Sequence, residues 1–163
     1  MRDMDEIGLK TCSFQAELFG ESVALLKCGS KIFIRRYMYS DLASRIDSQG
    51  YVFESMDITD AFDELDRQYG ETSYGQIKYG TEEMYWIGYI YRYWAYTYEK
   101  SSKQLFKTVK PDELRKLYYP YHSLDPSQAV ERILEAKGVS DKDEIARGVE
   151  IMRRVRKRSI QSV

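Results

Sequence analysis

His122, in the string YYPYHSLDP, is the only imidazole in 163 residues, so acid–base chemistry near neutrality would have to pass through it. No second histidine exists to share a metal, and the two cysteines, Cys12 and Cys28, form no CxxC pair, so no metal site is expected. A nucleophile pair would need Cys12 or Cys28 beside His122, and no spacing supports one. Standing between Pro120 and Pro126, His122 reads more simply as a turn residue bonded to backbone. Neither the Walker string GxxxxGK nor GxGxxG occurs, which leaves glycine-loop nucleotide binding without support. The expectation is therefore no cofactor and no catalytic residue, with an enzyme the least favoured class.

Arginines carry the remaining chemistry. Arg92 is the one cation in the aromatic run from Met84 to Tyr98. A guanidinium cannot be neutralised by burial, so it must find a carboxylate, carbonyls or aromatic faces. Either it is a structural cation packed among tyrosines, or it anchors a partner's carboxylate or phosphate. Arg35 and Arg36, adjacent in the apolar run IFIRRYMYS, are further interface candidates, or else a solvated helix edge.

The elements that would position these groups read as helices almost throughout. Ser13 is expected to cap a first helix running to about Lys27, with Gly29 as its stop. Ile34, Met38, Leu42 and Ile46 recur every four residues, which predicts one helix through SKIFIRRYMYSDLASRID. Ile58, Phe62, Leu65 and Tyr69 stripe a short helix ended by Gly70, and residues 70–80, with three glycines, read as a loop. Thr81 is expected to cap EEMYWIGYIYRYWAYTYEK, whose Glu82 and Glu83 suit a helix N-terminus. That segment is apolar or aromatic on every side, the mark of a buried central helix. Further helices follow: one capped by Ser101 or Ser102, one opened by Pro111 and closed by Pro120, one opened at Asp125–Pro126 and stopped by Gly138, and one starting at Ser140. The predicted fold is all-α, a single compact domain of about seven to eight helices around the tyrosine- and tryptophan-rich one. A flexible N-terminus is expected over 1–12, a helical core over 13–139, and an amphipathic C-terminal helix with a basic tail over 140–163.

Composition narrows the setting. The chain is 43% hydrophobic and 31% charged with a net charge of −1, ample for an ordinary core that hides about two-thirds of the unfolded surface. No apolar run approaches the length of a membrane span. The opening MRDMDEIGLK places Asp3, Asp5 and Glu6 before any apolar stretch, unlike a secretory signal, and two cysteines fit a reduced, cytoplasmic setting. The charge is uneven: Asp41 to Thr72 holds nine acids against Arg45 and Arg67, whereas Lys100 to Lys116 is basic, as is RRVRKR at 153–158. These are solvated faces, or the acidic stretch, with Asp60, Asp63 and Glu64, meets a basic partner while a basic one touches nucleic acid. For the latter, Lys103, Lys107, Arg115 and Lys116 lie on two short helices spaced like a helix-turn-helix.

Three segments are distinctive together: Ile32–Ser40 (IFIRRYMYS), Glu83–Trp94 (EMYWIGYIYRYW) with the following YEKSSKQ, and Tyr118–Glu131 (YYPYHSLDPSQAVE). Through them, residues 13 to 138 resemble a family of small bacterial proteins sometimes labelled antitoxins of toxin–antitoxin modules. The resemblance implies a toxin encoded by a neighbouring gene, some such toxins being similar to ADP-ribosyltransferases, and none of its motifs identifies a catalytic activity. The implied role is neutralisation of that toxin by covering its active site, with Arg35, Arg36, Asp60, Asp63, Glu64 and Arg92 as candidate contacts. DNA binding through residues 101–119 is the alternative, and a homo-oligomer remains open.

Overall fold

A computed structural model describes residues 1–49 and 55–138, together with Arg154 and Arg156. Among the described residues the fold is all-α, with eight helices and no strand. In chain order they are α1 (Glu6–Leu25), α2 (Ser30–Met38), α3 (Asp41–Gln49), α4 (Ile58–Tyr69), α5 (Thr81–Tyr98), α6 (Ser102–Thr108), α7 (Pro111–Tyr121) and α8 (Pro126–Ala136). Met1–Pro126 and Ser127–Val163 form two compact units. In the second unit α8 buries Ala129, Val130, Ile133 and Leu134, one face at helical spacing. The helix expected from Ser140 and most of the RRVRKR tail lie outside the described residues.

The first unit is organised by α1 and α5. Gly8 faces Tyr96, Gln15 faces Gly88, and Gly20 faces Thr81 and Tyr85, so the two helices run antiparallel along their whole length. A Cβ on Gly88 would lie 2.8 Å from the Gln15 carbonyl oxygen and from the Phe19 ring, so only glycine permits this approach. As its all-round apolar pattern predicts, α5 is deeply buried: Ile87, Tyr91, Arg92 and Trp94 are each at most 2% exposed, while Trp86 is half-buried. The tyrosine hydroxyls it carries inward find acceptors, Tyr91 on the Val109 carbonyl at 2.6 Å and Tyr96 on Asp5 Oδ1 at 2.5 Å.

Four expected boundaries are corrected. The first helix begins at Glu6 rather than Ser13, because Asp5 accepts the Gly8 N–H at 2.8 Å and so caps it; Thr11 and Cys12, placed in the supposed flexible terminus, are buried. The single helix expected over 30–47 is two, since the Ser40 hydroxyl accepts the Ala43 N–H at 3.0 Å and restarts the chain at α3. Thr81 is the first residue of α5, not its cap; Gly80 holds that place, its N–H received by Glu83 Oε1 at 2.9 Å. Pro120 lies inside the last turn of α7, which closes with the His122 N–H on the Tyr118 carbonyl at 2.8 Å. In contrast, α4 starts at Ile58 as its stripe predicts, with Asp57 as its cap, and α6 is capped by Ser101, one of its two expected caps; each has a reciprocal capping box.

Candidate functional site

Arg92 is enclosed by groups from four other elements. Its Nη1 donates to Asp47 Oδ1 at 2.7 Å, Nε to Gln15 Oε1 at 2.9 Å, and Nη2 to Ser102 Oγ at 3.1 Å. Gln15 is fixed in turn: Oε1 also accepts the Tyr37 hydroxyl at 2.6 Å, and its amide donates to the Gly88 carbonyl at 2.9 Å. Asp47 receives the Ser102 N–H and hydroxyl, each at 2.8 Å, and so closes the N-terminus of α6. Burial opposes the guanidinium's charge, but Tyr37 and Asp47 outweigh it and raise the pKa. The same burial pushes the Tyr37 phenol up to about 12. Arg92 therefore ties α1, α2, α3, α5 and α6 together and presents no surface to a partner. Of its two readings, the structural one is what the geometry shows.

Removing Asp47 from the acidic stretch leaves a different surface. Glu64 is also engaged, bound by Arg45 at 2.5 Å, and Asp57 and Asp60 are exposed but bonded to each other's backbone N–H in the α4 capping box. Asp63 is exposed and Asp66 half-buried, and among the described residues neither carboxylate has a hydrogen-bond or ionic partner. Burial, then Glu71 and Asp63, raise the Asp66 pKa against the opposing pull of Arg36. On α4, Asp60, Asp63 and Glu64 are spaced three and four apart and share one face.

A pocket of about 410 Å³ opens between the end of α1, α2, α4 and the segment after Gly70. Phe33, Phe62 and Leu65 form its apolar wall, and Asp66, Glu71 and Arg36 its polar one. The segment 70–80 lies as a strap across the α1–α2 junction: Gly29 N–H reaches the Tyr74 carbonyl and Ser30 N–H the Ile77 carbonyl, both at 3.0 Å. Arg36 donates to the Gly70 carbonyl at 2.7 Å and sits 5.3 Å from the Tyr69 ring centre, which commits it to holding the strap. Its neighbour Arg35 is exposed. The structure thus separates the candidate contacts: Arg35, Asp60 and Asp63 face solvent, Glu64 and Arg36 are engaged, and Arg92 is interior.

The helix pair around 101–119 is only partly available to a nucleic acid. Lys103, Lys107 and Lys116 are exposed, but Arg115 donates to Glu83 Oε2 at 3.2 Å and lies 4.3 Å from the Tyr79 ring centre. His122 is an exposed C-cap residue, with Nδ1 2.9 Å from the Tyr118 carbonyl oxygen and its ring stacked on Tyr118 at 4.6 Å. Both cysteines are buried and free, and burial pushes the Cys12 thiol up to about 12. No group of three or more metal-binding side chains gathers among the described residues, and none of their helices is long and apolar enough to cross a membrane.

No protein-family model, curated protein or solved structure matches this chain. Sequence reasoning missed Asp66, Glu71 and the strap, because residues 25–36 and 62–73 meet only through the tertiary fold. The one local signal was the three glycines of residues 70–80, Gly70 among them.

Proposed function

We propose that this protein is a non-enzymatic binding partner, antitoxin-like, which neutralises a toxin encoded by a neighbouring gene by laying the acidic face of α4 over the toxin's cationic cleft. A toxin that acts on nucleotides, nucleic acid or NAD must gather positive charge to hold its phosphates, and complementary charge speeds and orients association. The observation that carries this reading is the state of the acids themselves. Arg45 is committed to Glu64 and Arg92 to Asp47, so Asp60, Asp63, Asp66 and Glu71 keep an excess of negative charge that no cation among the described residues pairs with in a salt bridge. The resemblance to antitoxins supports the same role.

Co-expression tests it. Growth arrested by the neighbouring gene alone is expected to return when this chain is present. The double variant Asp60→Lys, Asp63→Lys should lose rescue while melting close to the wild type, because Asp63 is exposed and Asp60 contributes only a cap bond. Absence of arrest, arrest without rescue, or undiminished rescue by the double variant would remove this reading.

A further inference from the structure

The pocket beside α4 has an uncommon division of labour. Phe33, Phe62 and Leu65, each under 10% exposed, supply apolar lining, and Asp66 and Glu71 supply carboxylates. Its volume of about 410 Å³ is at the lower end for ligand-holding clefts, which run from about 300 to 1,000 Å³. Lysine and arginine lay an apolar stem along a hydrophobic surface and keep a charged head at its edge, the same division in mirror image. An anionic group would meet Asp66, Glu71 and the nearby Asp63. A purely aliphatic group would seal Asp66 from water without a partner, which is costly for a carboxylate. The two cations of the lining do not reverse this balance at Asp66, where Glu71 and Asp63 each act more strongly than Arg36, and Lys27 is exposed. The wall is also set in advance: Gly75, at φ 80°, brings the strap within 3.2 Å of where a Cβ on Gly29 would lie. A pocket that is already formed loses little freedom on binding.

We propose that this pocket receives one cationic side chain, an arginine or a lysine, from the surface of the partner protein, its stem against Phe62 and Leu65 and its head between Asp66 and Glu71. The inference rests on the binding reading above and names what the partner must present.

The test titrates the isotope-labelled full chain with a short capped peptide carrying one central arginine, and with versions in which citrulline or leucine replaces it. Amide shifts at Cys28, Leu65 and Asp66 report the pocket. The arginine peptide is expected to bind about tenfold tighter than the citrulline one, as a charge-assisted hydrogen bond would give. Asp66→Asn should erase that preference while keeping the fold. Equal binding of citrulline or leucine, a preference that survives Asp66→Asn, or no shift at the pocket would overturn the inference. Free argininamide binding as tightly as the peptide would overturn the protein source. In the growth assay, Asp66→Asn should weaken rescue. Full rescue by Asp66→Asn, with rescue lost in the Asp60/Asp63 double variant, overturns the pocket and leaves the binding role standing. No rescue by the wild-type chain overturns both.

Discussion

Arg92 on α5 and Asp47 on α3 stand 45 positions apart in the chain and meet at 2.7 Å, Nη1 to Oδ1, with Arg92 only 2% exposed. Taking one partner from a buried charged pair leaves the other uncompensated, at a cost of about 3–5 kcal/mol. Arg92→Ala should accordingly lower the melting temperature by on the order of 10 °C. Arg92→Lys should recover only part, because an ammonium cannot reach Gln15, Asp47 and Ser102 with the geometry of a planar fork. Melting followed by circular dichroism checks both. An Arg92→Ala protein that melts within a degree or two of the wild type would show that the network contributes little.

Two glycines should respond to alanine with opposite signs. At Gly88 the new methyl would meet the Gln15 carbonyl oxygen at 2.8 Å and the Phe19 Cβ at 2.9 Å, so α1 and α5 must part. Overpacking of this kind costs about 1–3 kcal/mol and exceeds the gain in helix propensity of about 1 kcal/mol. At Gly20 the nearest atoms are 3.7 Å away, ordinary contact, and α1 is helical on both sides. Gly20→Ala should then stabilise by about 0.5–1 kcal/mol. Urea midpoints of the two variants should move in opposite directions.

How far the sequence could be read depended on whether a feature was local. The bounds of α4 were legible because Gly70 ends the apolar stripe of Ile58, Phe62, Leu65 and Tyr69, and Arg92 stood out as one cation among aromatics. The break between α2 and α3 was not, because Ile34, Met38, Leu42 and Ile46 keep a four-residue period straight through it, and all four are buried. Only the Ser40 cap, a weaker signal, marks the restart. Asp5 caps α1, but in the sequence it stands among the other acids of MRDMDEIGLK with nothing local to set it apart. Asp47 looked like one acid of many until the fold placed it against Arg92, and the pocket joins segments with no shared motif. What lay within a turn or two of sequence could be read; what needed long-range packing could not.

The 15 tyrosines divide by environment, and an alkaline titration should resolve the division. Burial pushes Tyr37 and Tyr96 up to about 12, and Tyr91 well above its ordinary value. A group whose folded pKa is raised holds its proton more tightly in the folded state. Its contribution is complete below the unfolded value of 10.0 and falls away as pH rises through the folded one. Phenolate absorbance should therefore rise in two stages. The buried set should follow only as circular dichroism reports unfolding. A single smooth transition, complete before the helical signal changes, would contradict the burial of these three hydroxyls.

Asp5 and Asp66 should shape acid stability with opposite signs. The Tyr96 hydroxyl, then the Gly8 N–H, hold the Asp5 carboxyl below its ordinary 3.8, so the folded state favours the carboxylate. That stabilisation is present above 3.8 and is lost as pH falls through the lower, folded value. Asp5→Asn should thus be less stable than the wild type at neutral pH and show a shallower loss in acid. For Asp66, burial and the neighbouring Glu71 and Asp63 raise the pKa, so the folded state favours the protonated form. Stability then declines as pH rises from 3.8 through the folded value, and the penalty persists at neutrality. Asp66→Asn removes the charge and should melt higher than the wild type at neutral pH, with the difference closing in acid where Asp66 is already protonated. Melting curves across the acid range decide between these signs. A carboxylate kept at a cost to the free protein is what a pocket awaiting a cation would require, since stabilising such a site commonly works against its function. An Asp66→Asn variant that melts below the wild type at neutral pH would mean that the carboxylate is already paired within the fold, and the pocket would lose its strongest claim on a cationic side chain.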